Sequence, residues 1–262
     1  MLELPNAEGQ TLFENIIKVQ AIEGWFPNTT TLGLLREFSI GSLTEEEFHE
    51  RALEHALELD SNEPAHKKPP LRRLLFRNSY EDSTYAVLKN VPSLKTPSAL
   101  HEYQGLICAQ AMLSNVGLGL DNDPKKIHWT LFHRSYDWAG KYRTLNLSSK
   151  GVHFAPVNRI EEGISESLEH LDQALTCREK LDLPGTQECF ARFLDQFLWS
   201  HPFRDGNGRT AFFILMQVFP TCDLRSITHK EWYTASQGAL QSPNEPSAAD
   251  WKAIFAKIIP QA

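Results

Sequence analysis

The chain has 262 residues, 41% of them hydrophobic, and a formal net charge of −7. That much apolar side chain can bury a core, which excludes a disordered or fibrous chain. The acidic balance argues against coating nucleic acid through counterion release, and the longest apolar run, six residues at 211–216, is far short of the ~20 that span a bilayer.

The first ten residues, MLELPNAEGQ, lack a basic segment followed by an apolar one, so no signal peptide is read there. Residues 1–62 hold three basic side chains (Lys18, Arg36, Arg51) against twelve acidic ones. Leu12, Ile16, Ile17 and the run 19–22 form an apolar helical stripe, and Gly24 after it suits a C-cap. Thr44 and Glu47 have capping-box spacing, followed by Phe48, Ala52, Leu53, Ala56 and Leu57 at helical intervals. An acidic helical module at 1–62 is therefore expected. Three prolines within 63–70 mark a linker after it, and 71–262 form the main domain.

That domain also reads as helical, with helices expected over 99–115, 124–136, 160–180 and 187–200. In the last of these, Phe190, Phe193, Leu194, Phe197 and Leu198 fall at i, i+3, i+4, i+7 and i+8. Short extended runs at 144–147 and 152–155 flank Ser148-Ser149-Lys150-Gly151, a hairpin signal. His128 and His133 do not share a helix face for a metal and read as solvent-facing or capping residues. Lys67-Lys68 and Arg72-Arg73 are too few for a nucleic-acid surface. Cys108, Cys177, Cys189 and Cys222 form no C-x-x-C pair and read as buried thiols in a reducing, cytoplasmic compartment.

The chemistry concentrates in His201-Pro-Phe-Arg-Asp-Gly-Asn-Gly-Arg209. Pro202 stops the preceding helix near His201, and the run after Thr210 is apolar nearly all round, as in a buried helix. A glycine-rich loop feeding a helix N-terminus is an anion site. Arg209 in the first turn of that helix opposes the dipole unless an anion is bound beside it. Asp205 next to a phosphate calls for a bridging divalent cation, for which Mg²⁺ is suited. His201 titrates near neutrality and can take a proton from a hydroxyl. These residues describe a nucleotide-dependent phosphoryl or nucleotidyl transfer site. Asp-Gly and Asn-Gly are also strong hairpin-turn dipeptides, which leaves a strand–turn–strand alternative open. The helical period before the loop and the long apolar run after it count against that alternative.

The same stretch resembles the Fic-domain signature His-x-Phe-x-(Asp/Glu)-Gly-Asn-Gly-Arg-x-x-Arg. Upstream, Trp138-Ala-Gly-x-x-Arg143 and the segment 150–156 resemble further parts of that family, in the family's order. The resemblance implies a mainly α fold, a helical bundle with a short β-hairpin flap, preceded by the small helical N-terminal module. It implies transfer of AMP from ATP, with Mg²⁺, to a Ser, Thr or Tyr hydroxyl of a partner protein in a bacterial-type cytoplasm, with secretion as an effector and homo-oligomers left open. His201 would be the base and Asp205 the metal ligand. Arg204, Gly206, Asn207, Gly208 and Arg209 would hold phosphates. Leu147, Ser148, Ser149, Lys150, Gly151 and Val152 would dock the target by strand addition.

Two features depart from the family pattern. The second signature arginine, which would hold the γ-phosphate, is Phe212 here. This points to weakened AMP transfer, another phosphate donor, or a nucleotide-binding regulator. The N-terminal module resembles an antitoxin-type inhibitory module with the motif (Ser/Thr)-x-x-x-Glu-(Gly/Asn). It keeps Glu23 and Gly24 but has Val19 in place of Ser or Thr.

Overall fold

Thr44 and Glu47 make the reciprocal bonds that their spacing predicts. The Glu47 N–H donates to Thr44 Oγ1 at 3.2 Å and the Thr44 N–H donates to Glu47 Oε2 at 2.8 Å. This box opens a helix over Glu45–Asn62. Thr44→Ala removes one bond and leaves Glu47 without its hydroxyl partner. It should cost about 0.5–2 kcal/mol in a denaturant titration, and an unchanged midpoint would show that the cap contributes nothing.

The computed structural model describes residues 7–67, 80–82, 84–116, 122–149, 152–219, 222–241 and 248–258. The linker residues 68–70, and Lys150 and Gly151 of the expected flap, lie outside these. Two compact units divide the chain, Met1–Gly140 and Lys141–Ala262. The break thus falls downstream of the Pro-rich segment, because the helices of the acidic module pack within the first unit.

That unit contains α1 (Ala7–Ile22), α2 (Thr29–Ser39), α3 (Glu45–Asn62), α4 (Pro97–Asn115) and α5 (Pro124–Phe132). The first three and α5 all pack against α4, which is buried nearly all round from Tyr103 to Leu113. Ile16, Val19, Phe48, Ala52 and Ala56 supply fully buried side chains from the acidic module, so α1 and α3 each hide an apolar stripe. Asp60 Oδ1 accepts bonds from the Lys95 and Thr96 N–H groups, both at 2.8 Å, and so anchors the start of α4. The turn after α1 is tied to α4 as well: Trp25 Nε1 donates to Glu102 Oε2 at 2.8 Å. Helix α5 ends at Phe132, short of the expected 136, with His133 as its C-cap. His128 corrects a sequence expectation. It is fully buried, and its Nδ1 accepts the Gly140 N–H at 2.9 Å. The apolar face of α5 carries it inward, where a buried amide needs an acceptor.

The second unit holds the hairpin strands β1 (Ser148–Ser149) and β2 (Val152–His153), then α6 (Ile160–Glu179), α7 (Leu183–Ser200), α8 (Asn207–Val218), α9 (His229–Gln241) and α10 (Ala248–Ile258). Helix α7 is its centre and packs against the other four helices, burying the five residues its periodicity singled out. The strands pair Ser148 with His153 and Ser149 with Val152, so both serines sit in the ladder and not in the turn. Cys108 and Cys222 are buried, whereas Cys177 and Cys189 are partly exposed. The latter two lie near the α6–α7 turn, where Leu181 is 91% exposed. Among the described residues, no helix is long and apolar enough to cross a membrane.

Candidate active site

Helix α7 ends where the Pro202 argument places it, at Ser200, and His201 follows in the left-handed region with φ 43° and ψ 58°. A non-glycine residue there costs roughly 1–2 kcal/mol, so the surroundings must hold it. The neighbouring main chain is gripped by Arg143. Its Nε donates to the His201 carbonyl at 2.8 Å and its backbone N–H donates to the Pro202 carbonyl at 2.8 Å. Phe154, one residue past β2, lays its ring on the imidazole with centroids 3.7 Å apart and planes 16° apart. Burial, and then the Arg143 cation, push the imidazole down to about 3 from its ordinary 6.5. His201 is therefore neutral around pH 7, the form that can accept a proton.

The glycine loop is braced from inside. The Asn207 side chain is buried and mimics a backbone partner for Phe203: its Oδ1 accepts the Phe203 N–H and its Nδ2 donates to the Phe203 carbonyl, both at 2.9 Å. The Asn207 side chain thus braces the loop. Gly206 has φ 80°, a value that favours glycine, and turns the chain into α8. Its carbonyl accepts both the N–H and the hydroxyl of Thr210, at 3.0 and 2.8 Å. No side chain caps the start of α8. The first-turn N–H groups of Asn207, Gly208 and Arg209 have no acceptor within the helix, which together with the dipole makes an anion-binding end.

Asp205 and Arg209 face each other here. Asp205 Oδ1 accepts the Gly206 N–H at 2.8 Å, and its Oδ2 lies 3.6 Å from Arg209 Nη2. The carboxylate is partly exposed and the guanidinium nearly buried. This pair offsets the unfavourable placement of a cation at a helix N-terminus. Among the described residues, no three His, Cys, Asp or Glu side chains gather to hold a metal. A cation at Asp205 would therefore take its remaining ligands from phosphate oxygens and water, which is the habit of Mg²⁺.

Phe212, one turn along α8, is fully buried. It stacks on Trp232 of α9 at 3.9 Å and 27°, and Trp232 meets Trp251 of α10 edge-on at 4.9 Å. Trp251 Nε1 donates to the buried Asp195 Oδ1 at 2.6 Å. That position thus contributes apolar core and no charge to the loop. His201, Arg204, Asp205, Gly206, Asn207, Gly208 and Arg209 lie in the stretch from the end of α7 to the first turn of α8. The hairpin connects to the same helix end through the Ala155 N–H, which donates to the Trp199 carbonyl at 3.0 Å. Glu23 and Gly24 belong to the other unit, where Gly24, with φ 93°, follows the end of α1. Sequence reasoning gave no role to Arg143 within its motif, nor to Phe154 within the hairpin.

Residues 121–219 match the family model described as the Fic/DOC family. The chain is 30% identical over 139 residues to protein adenylyltransferase VbhT of Bartonella schoenbuchensis, covering 50% of this chain and 28% of that protein. It is 28% identical over 141 residues to the probable protein adenylyltransferase y4lH of Sinorhizobium fredii, covering 50% of this chain and 70% of that protein. The crystal structure of the N-terminal Fic domain of a VirB-translocated Bep effector protein from Bartonella quintana, with bound ADP, superposes with a TM-score of 0.53. That match has 27% identity and covers 66% of this chain and 90% of that one. The chain therefore carries a Fic/DOC-family domain, and the loop from His201 to Arg209 lies inside it.

Proposed function

We propose that the protein is a nucleotidyltransferase that moves AMP from ATP to a Ser, Thr or Tyr hydroxyl of another protein. The observation that carries this reading is the place of His201, partly exposed at the end of α7 with Phe154 stacked on its ring, a few residues before the start of α8 at Gly206. A target hydroxyl gives its proton to His201 as its oxygen attacks the α-phosphorus. The bond from the α-phosphorus to the bridging oxygen breaks, and pyrophosphate leaves. The backbone of Gly206, Asn207 and Gly208, with Arg204 and Arg209, meets the phosphates, and Asp205 would hold Mg²⁺, which supplies further charge neutralisation. The hairpin strands, where Ser148 and His153 are exposed, would offer main-chain groups to an extended target segment. Two relatives named as adenylyltransferases and an ADP-bound Fic domain support the nucleotide and the reaction class.

A second reading is favoured by Phe212, whose burial leaves that turn of α8 without a cation for a third phosphate. Under it the donor is a different phosphate ester. One experiment separates the two: mass spectrometry of the protein after incubation with Mg²⁺ and ATP, GTP, UTP or CDP-choline. An AMP adduct formed from ATP, and lost in Asp205→Ala, is the expected result. An adduct from another donor selects the second reading, and no adduct from any donor, on the protein or on proteins of an added cell lysate, with either the parent or Glu23→Gly, refutes both.

Inhibition by the N-terminal module belongs to the same proposal, with Glu23 as its agent. Deleting residues 1–62 would uncover the apolar side of α4 that α1–α3 cover. Glu23→Gly in the full chain, scored in the same assay by adduct yield, is therefore the sharper way to examine it.

A further inference from the structure

The geometry points to Arg143 as the positioning residue for His201, with Phe154 as the second contact that fixes the imidazole. This rests on the reading of His201 as the base. Arg143 is 2% exposed, and the acceptors of its guanidinium are main-chain carbonyls. Nε donates to His201 at 2.8 Å, Nη1 to Leu145 at 2.8 Å, and Nη2 to Ala155 at 2.5 Å and Ser200 at 3.2 Å. A cation so buried is costly unless its donors are satisfied. Here its donors reach the main chain at four carbonyls.

Three consequences follow from those four bonds. The carbonyls of Ser200 and His201 close α7, so the guanidinium sits at the negative end of the helix dipole. It also fixes the direction of the His201 carbonyl, and with it the left-handed backbone that turns the imidazole out of the helix line. Leu145 and Ala155 are the two stems of the hairpin, and Phe154 lies between Ala155 and β2. The same fork therefore sets the spacing between hairpin and base, and the 3.7 Å ring stack is what that spacing produces. The charged groups acting on the imidazole are Arg143 and Arg204, which disfavour a second positive charge, and Asp205, which favours it. His153 on the hairpin is exposed. Taking away the Arg143 charge, or the cover of Phe154, should raise the imidazole toward its ordinary value.

The test is a histidine-ring NMR titration of the nucleotide-free full chain, with the His201 signal assigned by its loss in His201→Asn, alongside transfer kinetics. Arg143→Gln and Phe154→Leu should each move the His201 midpoint upward by at least about one pH unit. Arg143→Lys keeps the charge but loses the fork. It should lower kcat by roughly 10²-fold with KM for nucleotide nearly unchanged, because a base displaced by about 1 Å loses that much. If Arg143→Gln does not fold, Phe154→Leu and Arg143→Lys decide between them. An unmoved midpoint in Phe154→Leu, or an unchanged kcat in Arg143→Lys, overturns the proposal. Should His201→Asn transfer as fast as the parent, the base assignment fails, while the titration still reports whether Arg143 and Phe154 act on the ring.

Discussion

Replacing His201 with asparagine should slow nucleotidyl transfer by about 10²–10⁴-fold and leave nucleotide affinity close to that of the parent. Asparagine is the better replacement than alanine, because it tolerates the left-handed backbone that this position holds at φ 43°. The phosphate-binding groups belong to α8 and the loop before it, so binding should survive loss of the imidazole. Rate and affinity should therefore part company, with single-turnover kinetics giving the rate and calorimetry the affinity. A variant that transfers at the parental rate would remove the base from this mechanism. The same substitution has a stability readout with a definite sign. An imidazole pushed down to about 3 from 6.5 stabilises the fold above pH 6.5 and loses that contribution progressively as pH falls toward 3. Thermal unfolding of the variant should consequently fall off less steeply across that acid window than that of the parent.

Phe212→Ala should destabilise the second unit by about 3–5 kcal/mol, the usual cost of emptying a buried phenylalanine site. The side chain is fully buried and its stacking partner Trp232 leads on to Trp251 and Asp195, so one cavity loosens the packing of α8, α9 and α10 together. Read from the sequence alone, Phe212→Arg restores a phosphate contact and tightens ATP binding by roughly 1.5–3 kcal/mol. In the folded chain that guanidinium would have to displace Trp232 or remain buried without a partner, and either is costly. The nucleotide-free Phe212→Arg variant should therefore melt well below the parent. Any recovery on adding MgATP should exceed the recovery with MgADP, since only ATP carries a third phosphate. A Phe212→Arg melting temperature equal to the parent's would mean that the aromatic stack does not contribute to the core.

What the sequence legibly contained was local. The helix stop before His201, the turn at Gly206, the capping box at Thr44 and the apolar stripe of α7 all arise from residues within eight positions of one another. Short-range sterics and hydrogen bonds settle such features before tertiary contacts form. The same rules held a signal that the periodicity reading passed over. Thr228 and Glu231 make a capping box at the start of α9, with the Glu231 N–H donating to Thr228 Oγ1 at 3.1 Å. The loop chemistry was legible because its residues are consecutive. The surroundings that tune it come from far along the chain. Arg143 reaches a carbonyl 58 residues away, and Phe154 reaches the ring of His201 from the hairpin. Trp232 and Trp251 arrive from helices that follow the loop to give Phe212 its aromatic bed. Such contacts have no period and no fixed spacing, so an arginine in a short motif reads alike whether it meets phosphate or main chain. Burial decides between these, because a guanidinium out of water must find acceptors, and only the folded chain shows that Arg143 finds them on both sides of the base.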